Sequence, residues 1–197
     1  MYKKQLRFQK FVCLLAIIAA AVMFLYSLGM ITDIYDSLYS TMRNPNNLLD
    51  TKVPGSIIYY DMQDFNKQMV TYSIGLILLG CLLFVTNTQV RRRYYVSNYI
   101  SVALYAAASA AFFLWANTQV QAFRHQYLTT VDFEALKKYS EMWKTFYTDS
   151  PLSFDLFYVA GGLLLLAALA LVVNTVWKIV MMSAEKKLIR EGEEAAV

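Results

Sequence analysis

"FVCLLAIIAAAVMFLYSLGMIT", Phe11–Thr32, is a run of 22 residues without a charged side chain. A helix needs about 20 apolar residues to cross the hydrocarbon core of a bilayer. Core helices of soluble proteins keep a polar face, whereas this run is apolar on all sides. The stretch therefore predicts a membrane-spanning helix.

The whole chain has the composition of a membrane protein. Of its 197 residues, 58% are hydrophobic and 16% are charged, against about a quarter charged in a typical soluble domain. Three further charge-free runs cover Gln68–Val90, Tyr94–Ala122 and Leu156–Trp177. We predict an all-α, polytopic membrane protein: a four-helix transmembrane bundle with helical extracytoplasmic extensions.

The first run is predicted to be a retained span rather than a cleaved signal peptide. A basic segment, "MYKKQLRFQK", precedes it, as in a signal sequence. The apolar stretch, however, is longer than the 7–15 residues of a signal h-region, and no small-x-small cleavage site follows.

The predicted segments alternate between the two sides of the membrane. Transmembrane helices are expected at 11–32, 68–88, 96–117 and 154–177. The other segments are an N-terminus (1–10), a first outer loop (33–67), a turn (89–95), a second outer loop (118–153) and a C-terminal tail (178–197).

The distribution of Lys and Arg predicts the orientation. Segments 1–10, 88–95 and 178–197 carry 11 cations in 38 residues, whereas 32–68 and 118–153 carry 7 in 73. Because cytoplasmic segments are enriched in cations, both termini are predicted to be cytoplasmic.

Cysteine use favours a bacterial plasma (inner) membrane. Both cysteines, Cys13 and Cys81, lie in predicted spans, so the outer loops have no disulfide framework. Nor do the outer loops contain an N-x-Ser/Thr glycosylation acceptor.

Three adjacent arginines, Arg91, Arg92 and Arg93, form the turn between the second and third spans. We interpret them as an electrostatic anchor to membrane lipids, flanked by interfacial tyrosines. Nucleic-acid binding is disfavoured because the turn is short and no second basic surface is evident.

The second outer loop contains an amphipathic pattern. An amphipathic helix is predicted at 131–148, with Thr130 or Asp132 as its N-cap. It would pack on extensions of the spans as a headpiece, or alternatively lie on lipid headgroups. At least half of the outer aromatic residues are expected to pack inside the headpiece. Those predicted to bind a partner are Tyr139, Trp143, Phe146 and Tyr147.

Small side chains at helical spacing predict close packing of helices in the membrane. They are Ala103, Ala106, Ala107 and Ala110 in the third span, and Gly161 and Gly162 in the fourth. The sequence leaves open whether each face packs internally or against another subunit.

The sequence contains few residues in positions suited to catalysis, ion transport or metal binding. The span cores contain no ionisable residue, which disfavours coupled transport, and Asp33 and Asp155 lie at span ends. The single histidine, His125, falls outside the spans, and no Cys/His cluster has metal-ligand spacing. We predict no catalytic, cofactor-binding or metal-binding residue and no enzymatic activity.

Three functions remain. We expect a non-catalytic accessory or structural subunit of a larger membrane complex, such as a transporter, with other membrane subunits as partners. The alternative is a homo-oligomeric channel, for which Asn98, Ser101, Tyr105 and Ser109 form a weak polar stripe. A membrane enzyme acting on lipid comes third.

Overall fold

A computed structural model describes residues 2–29, 32–41, 52–89 and 95–194. These residues form six helices and no strand: α1 (Tyr2–Gly29), α2 (Thr32–Tyr39), α3 (Ile58–Asn87), α4 (Val96–Thr130), α5 (Phe133–Trp143) and α6 (Leu152–Glu194). The predicted all-α class is confirmed.

Four of the helices are long and apolar enough to cross a membrane. The candidate spans are Lys3–Leu28, Ile58–Asn87, Val96–Thr130 and Leu152–Glu191. By helix length and composition, the chain is a multi-pass membrane protein, as predicted.

One helix boundary differs from the predictions. Helix α1 covers Tyr2–Gly29 and α2 covers Thr32–Tyr39, but residues 30 and 31 lie outside the described residues, so the expected helical continuation of the first span stays a prediction. The helix expected at 131–148 is shorter, because α5 ends at Trp143. Lys144 then adopts a left-handed conformation (φ 53°), and its N–H donates to the Ser140 carbonyl. At the other end, Asp132 is the N-cap, and its side chain accepts from the Ala135 N–H at 3.0 Å.

The chain divides into two compact units, which we call the terminal unit and the loop unit. The terminal unit comprises Met1–Ala20, Gly75–Ala110 and Leu163–Val197; the loop unit comprises Ala21–Ile74 and Ala111–Gly162.

Segments of four helices pack in the terminal unit. Its apolar core includes Cys13, Ala16, Leu83, Leu164 and Leu171, all almost fully buried. The buried Tyr105 hydroxyl of α4 donates to the Ala16 carbonyl of α1 at 2.6 Å. A hydroxyl in an apolar interior needs such an acceptor, so this bond ties α4 to α1.

The loop unit is held together mainly by aromatic side chains. Phe113 and Phe157 stack with ring centroids 5.5 Å apart, and Tyr26 donates to the Ser153 carbonyl at 3.0 Å. The close approach of α4 and α6 requires Gly161, since a Cβ there would lie 2.6 Å from the Phe113 ring. Arg124 also pairs with Asp155 at 3.1 Å.

A turn before α3 packs against the start of α5. Gly55 has φ +81°, and a Cβ on it would lie 2.0 Å from the Thr130 carbonyl oxygen. The neighbouring Pro54 carbonyl accepts from the Asp132 N–H at 3.1 Å. Glycine is needed here both for the left-handed backbone and for the close contact.

Helix α5 and the segment after it are also attached to α2 and to Ser40, which directly follows α2. The Tyr139 hydroxyl donates to the Ser40 carbonyl at 2.9 Å, and the Thr148 N–H donates to Ser37 Oγ at 3.4 Å. Leu136 is fully buried under α5. This attachment fixes the outward-facing side of α5 within the loop unit.

Candidate functional site

A buried network of polar side chains links all four long helices inside the terminal unit. Gln5 of α1 donates to Gln9 at 2.8 Å and to Asn174 Oδ1 of α6 at 3.2 Å. Gln9 in turn donates to the Asn87 carbonyl of α3. Asn87 Nδ2 donates to Ser101 Oγ of α4 at 2.9 Å. We call these five residues the amide cluster; all are at least nine-tenths buried.

The spacing of the polar residues explains how the cluster forms. Gln5 and Gln9 are four residues apart on α1, and Asn174 and Lys178 are four apart on α6. Side chains at i and i+4 lie on the same helix face. Each pair therefore faces inward next to the end of a charge-free run, where amides can satisfy one another.

Lys178 is the charged residue beside the amide cluster. It is only 5% exposed, and its Nζ has no hydrogen-bond partner among the described residues. The centroid of the Tyr99 ring lies 5.5 Å from this Nζ. A buried ammonium without an acceptor is costly, so this position requires an explanation.

Two cavities border α6 at and beyond Lys178, and Lys178 lines the larger of them. The larger, about 290 Å³, is lined by residues that include Gln5, Lys178, Met181, Met182, Glu185 and Leu188. The smaller, about 160 Å³, is lined by residues that include Tyr99, Met182 and Lys186. The terminal unit thus combines neutral amide donors, one buried cation and mostly apolar cavity walls. This set suits the binding of an amphipathic anion.

A second candidate site lies at the end of α5 and in the segment directly after it, in the loop unit. Met142, Trp143 and Phe146 are 74%, 60% and 50% exposed, and we call them the α5 patch. Lys52 Nζ lies 5.5 Å from the Trp143 ring centroid and 5.3 Å from that of Tyr139. These cation–π contacts hold the base of the patch.

The four residues predicted to bind a partner fall into two groups. Trp143 and Phe146 are exposed, whereas Tyr139 and Tyr147 are half-buried. The Tyr147 hydroxyl donates to Asp149 Oδ2 at 3.1 Å. Desolvation, and then the Asp149 carboxylate, raise the pKa of the Tyr147 phenol above its ordinary value. Tyr147 therefore stays neutral at physiological pH and serves the loop geometry.

Many aromatic residues elsewhere in the loop unit are internal. Phe65, Tyr127 and Phe154 are buried, and Tyr35 packs edge-to-face on Tyr59 at 5.2 Å. Burial, and then the neighbouring Tyr59 and Asp64, raise the pKa of the Tyr35 phenol. These rings form core contacts, whereas the α5 patch faces outward.

The residues predicted to pack helices have different environments. Gly161 is buried against Phe113, and Gly162 is half-buried with open space around it. Ala103, Ala107 and Ala110 are exposed on α4, and Ala106 is half-buried. The exposed alanines therefore leave a smooth strip on the surface of this chain.

Arg91, Arg92 and Arg93 lie outside the described residues, so their predicted anchoring role stays a prediction. The polar stripe of α4, formed by Asn98, Ser101, Tyr105 and Ser109, is buried inside the terminal unit. No group of three His, Cys, Asp or Glu residues in the described part of the chain could hold a metal.

The amide cluster and the burial of Lys178 were not predicted from the sequence. Gln5, Gln9 and Lys178 each lie beyond a charge-free run, in segments predicted to be polar and outside the spans. The signal that could have found them is the pair of matching i, i+4 polar positions at the ends of the first and fourth runs. The exposure of Met142 on α5 was not predicted either.

Comparison of the chain with protein-family models, with curated proteins and with solved structures finds no match.

Proposed function

We propose that this chain is a non-catalytic subunit of a larger membrane assembly, of the kind that accompanies a transporter. The observation that carries the proposal is the α5 patch. Met142, Trp143 and Phe146 lie outside the four candidate spans, so lipid tails do not explain their exposure. Aromatic and methionine side chains of this kind are enriched at protein–protein interfaces, and tryptophan is prominent among the residues that dominate their energetics.

The patch has the rigidity that an interface benefits from. Met142 and Trp143 lie on a helix that is capped at Asp132, attached to Ser40 by the Tyr139 hydroxyl and ended by the left-handed Lys144, and Phe146 follows two residues later. A surface that is fixed before binding loses less conformational entropy when a partner docks. This favours a protein partner over a mobile contact with headgroups.

The exposed strip on α4 supports the same proposal within the membrane. Ala103, Ala107 and Ala110 are spaced so that they share one side of the helix, and all three are exposed. Small side chains let a neighbouring helix approach closely in lipid. We propose that a helix of the partner lies along this strip.

The proposed topology follows the cation distribution. Both termini would face the cytoplasm of a bacterial cell, and the α5 patch would face outward. Arg91, Arg92 and Arg93 would anchor the cytoplasmic turn to lipid. Labelling of single cysteines at Ser150 and Ser183 with a membrane-impermeant reagent tests this. Labelling of intact cells should occur at position 150 only, and the reverse pattern would exclude the proposed orientation.

The test of the subunit role uses a photo-crosslinking amino acid in place of Phe146 in the native host. We expect a crosslink to one membrane protein that also copurifies stoichiometrically in mild detergent. Trp143→Ala should reduce copurification about tenfold or more, as expected for an aromatic hot spot. Leu152→Ala is the matched control, since Leu152 is equally exposed at the start of α6 but outside the patch.

A monomer that crosslinks only to lipid would contradict the subunit role. The channel alternative receives less support, because its polar stripe is buried within one chain and does not line a surface between copies. Conductance of the purified protein in planar bilayers would support the channel alternative.

A further inference from the structure

The buried ammonium of Lys178 points to a ligand. Its Nζ is enclosed and has no acceptor among the described residues, although the side chain also lines the cavity of about 290 Å³. The four-carbon stem of lysine is flexible, so a modest rotation brings the ammonium to an anion in that cavity. An anion there would supply the missing partner.

The position of Lys178 along α6 matches the depth of lipid headgroups. The charge-free run Leu156–Trp177 ends directly before it and contains 22 residues. At about 1.5 Å per residue, this run is about 33 Å long, close to the roughly 30 Å hydrocarbon core. Lys178 therefore falls where the phosphates of one leaflet begin.

The charge of the surrounding segment favours an anion. Among the described side chains of the terminal unit, cations outnumber acids: Lys3, Lys4, Arg7, Lys10, Lys178, Lys186, Lys187 and Arg190 against Glu185 and Glu191. Glu185 lines the same cavity and opposes an anion there, whereas Lys186 lines the adjoining cavity. The net charge of these described side chains is therefore positive, which favours an anion in their vicinity.

The cavity walls favour a lipid over free phosphate. The cavity has an apolar surface formed by Met181, Met182 and Leu188. Leu188 is also exposed on the outside of the unit. Free phosphate would need several donors, but the Gln5 amide that also lines the cavity already donates to Gln9 and Asn174. One cation beside an apolar wall suits one phosphate with an attached acyl chain.

We propose that the cavity bordered by Lys178, Gln5 and the Met181–Leu188 turns of α6 binds an anionic phospholipid. Its phosphate pairs with the Lys178 ammonium, and its acyl chain lies along the methionines. The site is independent of the α5 patch and of the proposed subunit role. It would be present in the isolated chain.

The experiment is native mass spectrometry of the purified protein with an equimolar mixture of phosphatidylglycerol and phosphatidylcholine. We expect wild type to retain phosphatidylglycerol about fivefold more than phosphatidylcholine, the preference expected for one cation at a lipid headgroup. A wild-type ratio near one would overturn the proposal whatever the variants do.

Three variants locate the site. Lys178→Met should bring the ratio close to one, and Lys178→Arg should keep the preference because the charge remains. Lys187→Met is the matched control, since Lys187 is on the same helix but exposed. Equal losses in Lys178→Met and Lys187→Met would show only general surface attraction and would overturn the assigned site. Size-exclusion chromatography and circular dichroism verify that each variant is folded.

A final arm separates lipid from free phosphate. Millimolar inorganic phosphate should neither displace phosphatidylglycerol nor raise the melting temperature of the delipidated protein. If phosphate fully displaced phosphatidylglycerol from wild type, and this effect of phosphate was absent in Lys178→Met, the site would bind a soluble anion and the lipid proposal would be refuted.

Discussion

The tetrapeptide Asn-Thr-Gln-Val occurs twice, at positions 87–90 in the terminal unit and 117–120 in the loop unit. The asparagines of the two copies have different surroundings. Thr88 and Thr118 make the same local bond, each donating to the carbonyl four residues earlier. Asn87, in the terminal unit, is buried in the amide cluster, whereas Asn117, in the loop unit, is half-buried. The local hydrogen bond of the threonine follows from the tetrapeptide sequence, but the role of the asparagine depends on which helices pack beside it.

The same contrast separates the two units as a whole. The interior of the terminal unit is polar near the helix ends and contains a cation and cavities. The interior of the loop unit is built from stacked rings, close backbone contacts and a capped helix. The first arrangement suits ligand binding, and the second suits a rigid support for an exposed patch. Four variants, ordered by expected effect, test this contrast.

Gly55→Ala should have the largest effect, because it introduces strain at a positive φ and a clash with the Thr130 carbonyl. We expect the free energy of unfolding to fall by about 3 kcal/mol. Thermal melts in detergent measure the loss, with Gly75→Ala as control because a methyl group added at Gly75 would meet no atom within 4 Å. An unchanged melting temperature would mean that the turn does not pack closely on the junction between α4 and α5.

Gly161→Ala should be next, at about 2 kcal/mol, because the new methyl group overlaps the Phe113 ring. Gly162→Ala, its neighbour in the chain, meets open space and should be neutral or slightly stabilising through helix propensity. Melts of both proteins should differ clearly. Equal behaviour would show that α4 and α6 are not in close contact here.

Asn87→Ala should cost about 1 kcal/mol, since it removes the buried side-chain amide that donates to Ser101 Oγ, whereas Gln9 keeps its bond to the backbone carbonyl of residue 87. Asn117→Ala, in the second copy of the tetrapeptide, should cost less because Asn117 is only half-buried. Hydrogen exchange of α1 amides would show whether the loss is local to the amide cluster. A larger effect at Asn117 would reverse the contrast between the units.

Arg124→Gln should have the smallest effect, below about 1 kcal/mol, because solvent screens its ion pair. Its partner Asp155 is 3.1 Å away, but both side chains are substantially exposed. The melting temperature should fall slightly and become less dependent on salt. A drop as large as that of Gly161→Ala would mean that the pair lies in a drier environment than its exposure indicates.

Much of the fold could be predicted from the sequence because the strongest signals are long and local. The charge-free runs predicted the four long helices, and of the two N-caps predicted for α5, Thr130 or Asp132, the structure has Asp132. The end of α5 could not be predicted, since a left-handed Lys144 carries no sequence signal comparable to glycine.

The candidate sites were harder to predict. Trp143 and Phe146 were identified because aromatic residues in a polar loop are conspicuous. Lys178 resembles any basic residue that follows a span, and Gln5, which lines the same cavity, is far away in the chain. Tertiary contacts of this kind decide whether a cation is solvated or enclosed.

The exposure of Trp143 also gives the molecule an optical handle. The chain has three tryptophans: Trp143 on the α5 patch, Trp115 within a ring cluster of the loop unit, and Trp177 beside Phe8 in the terminal unit. Aqueous iodide should quench emission from Trp143 far more than from Trp115. Replacing two of the three indoles by phenylalanine would leave a single intrinsic fluorophore, so that events at either unit could be followed without an attached dye.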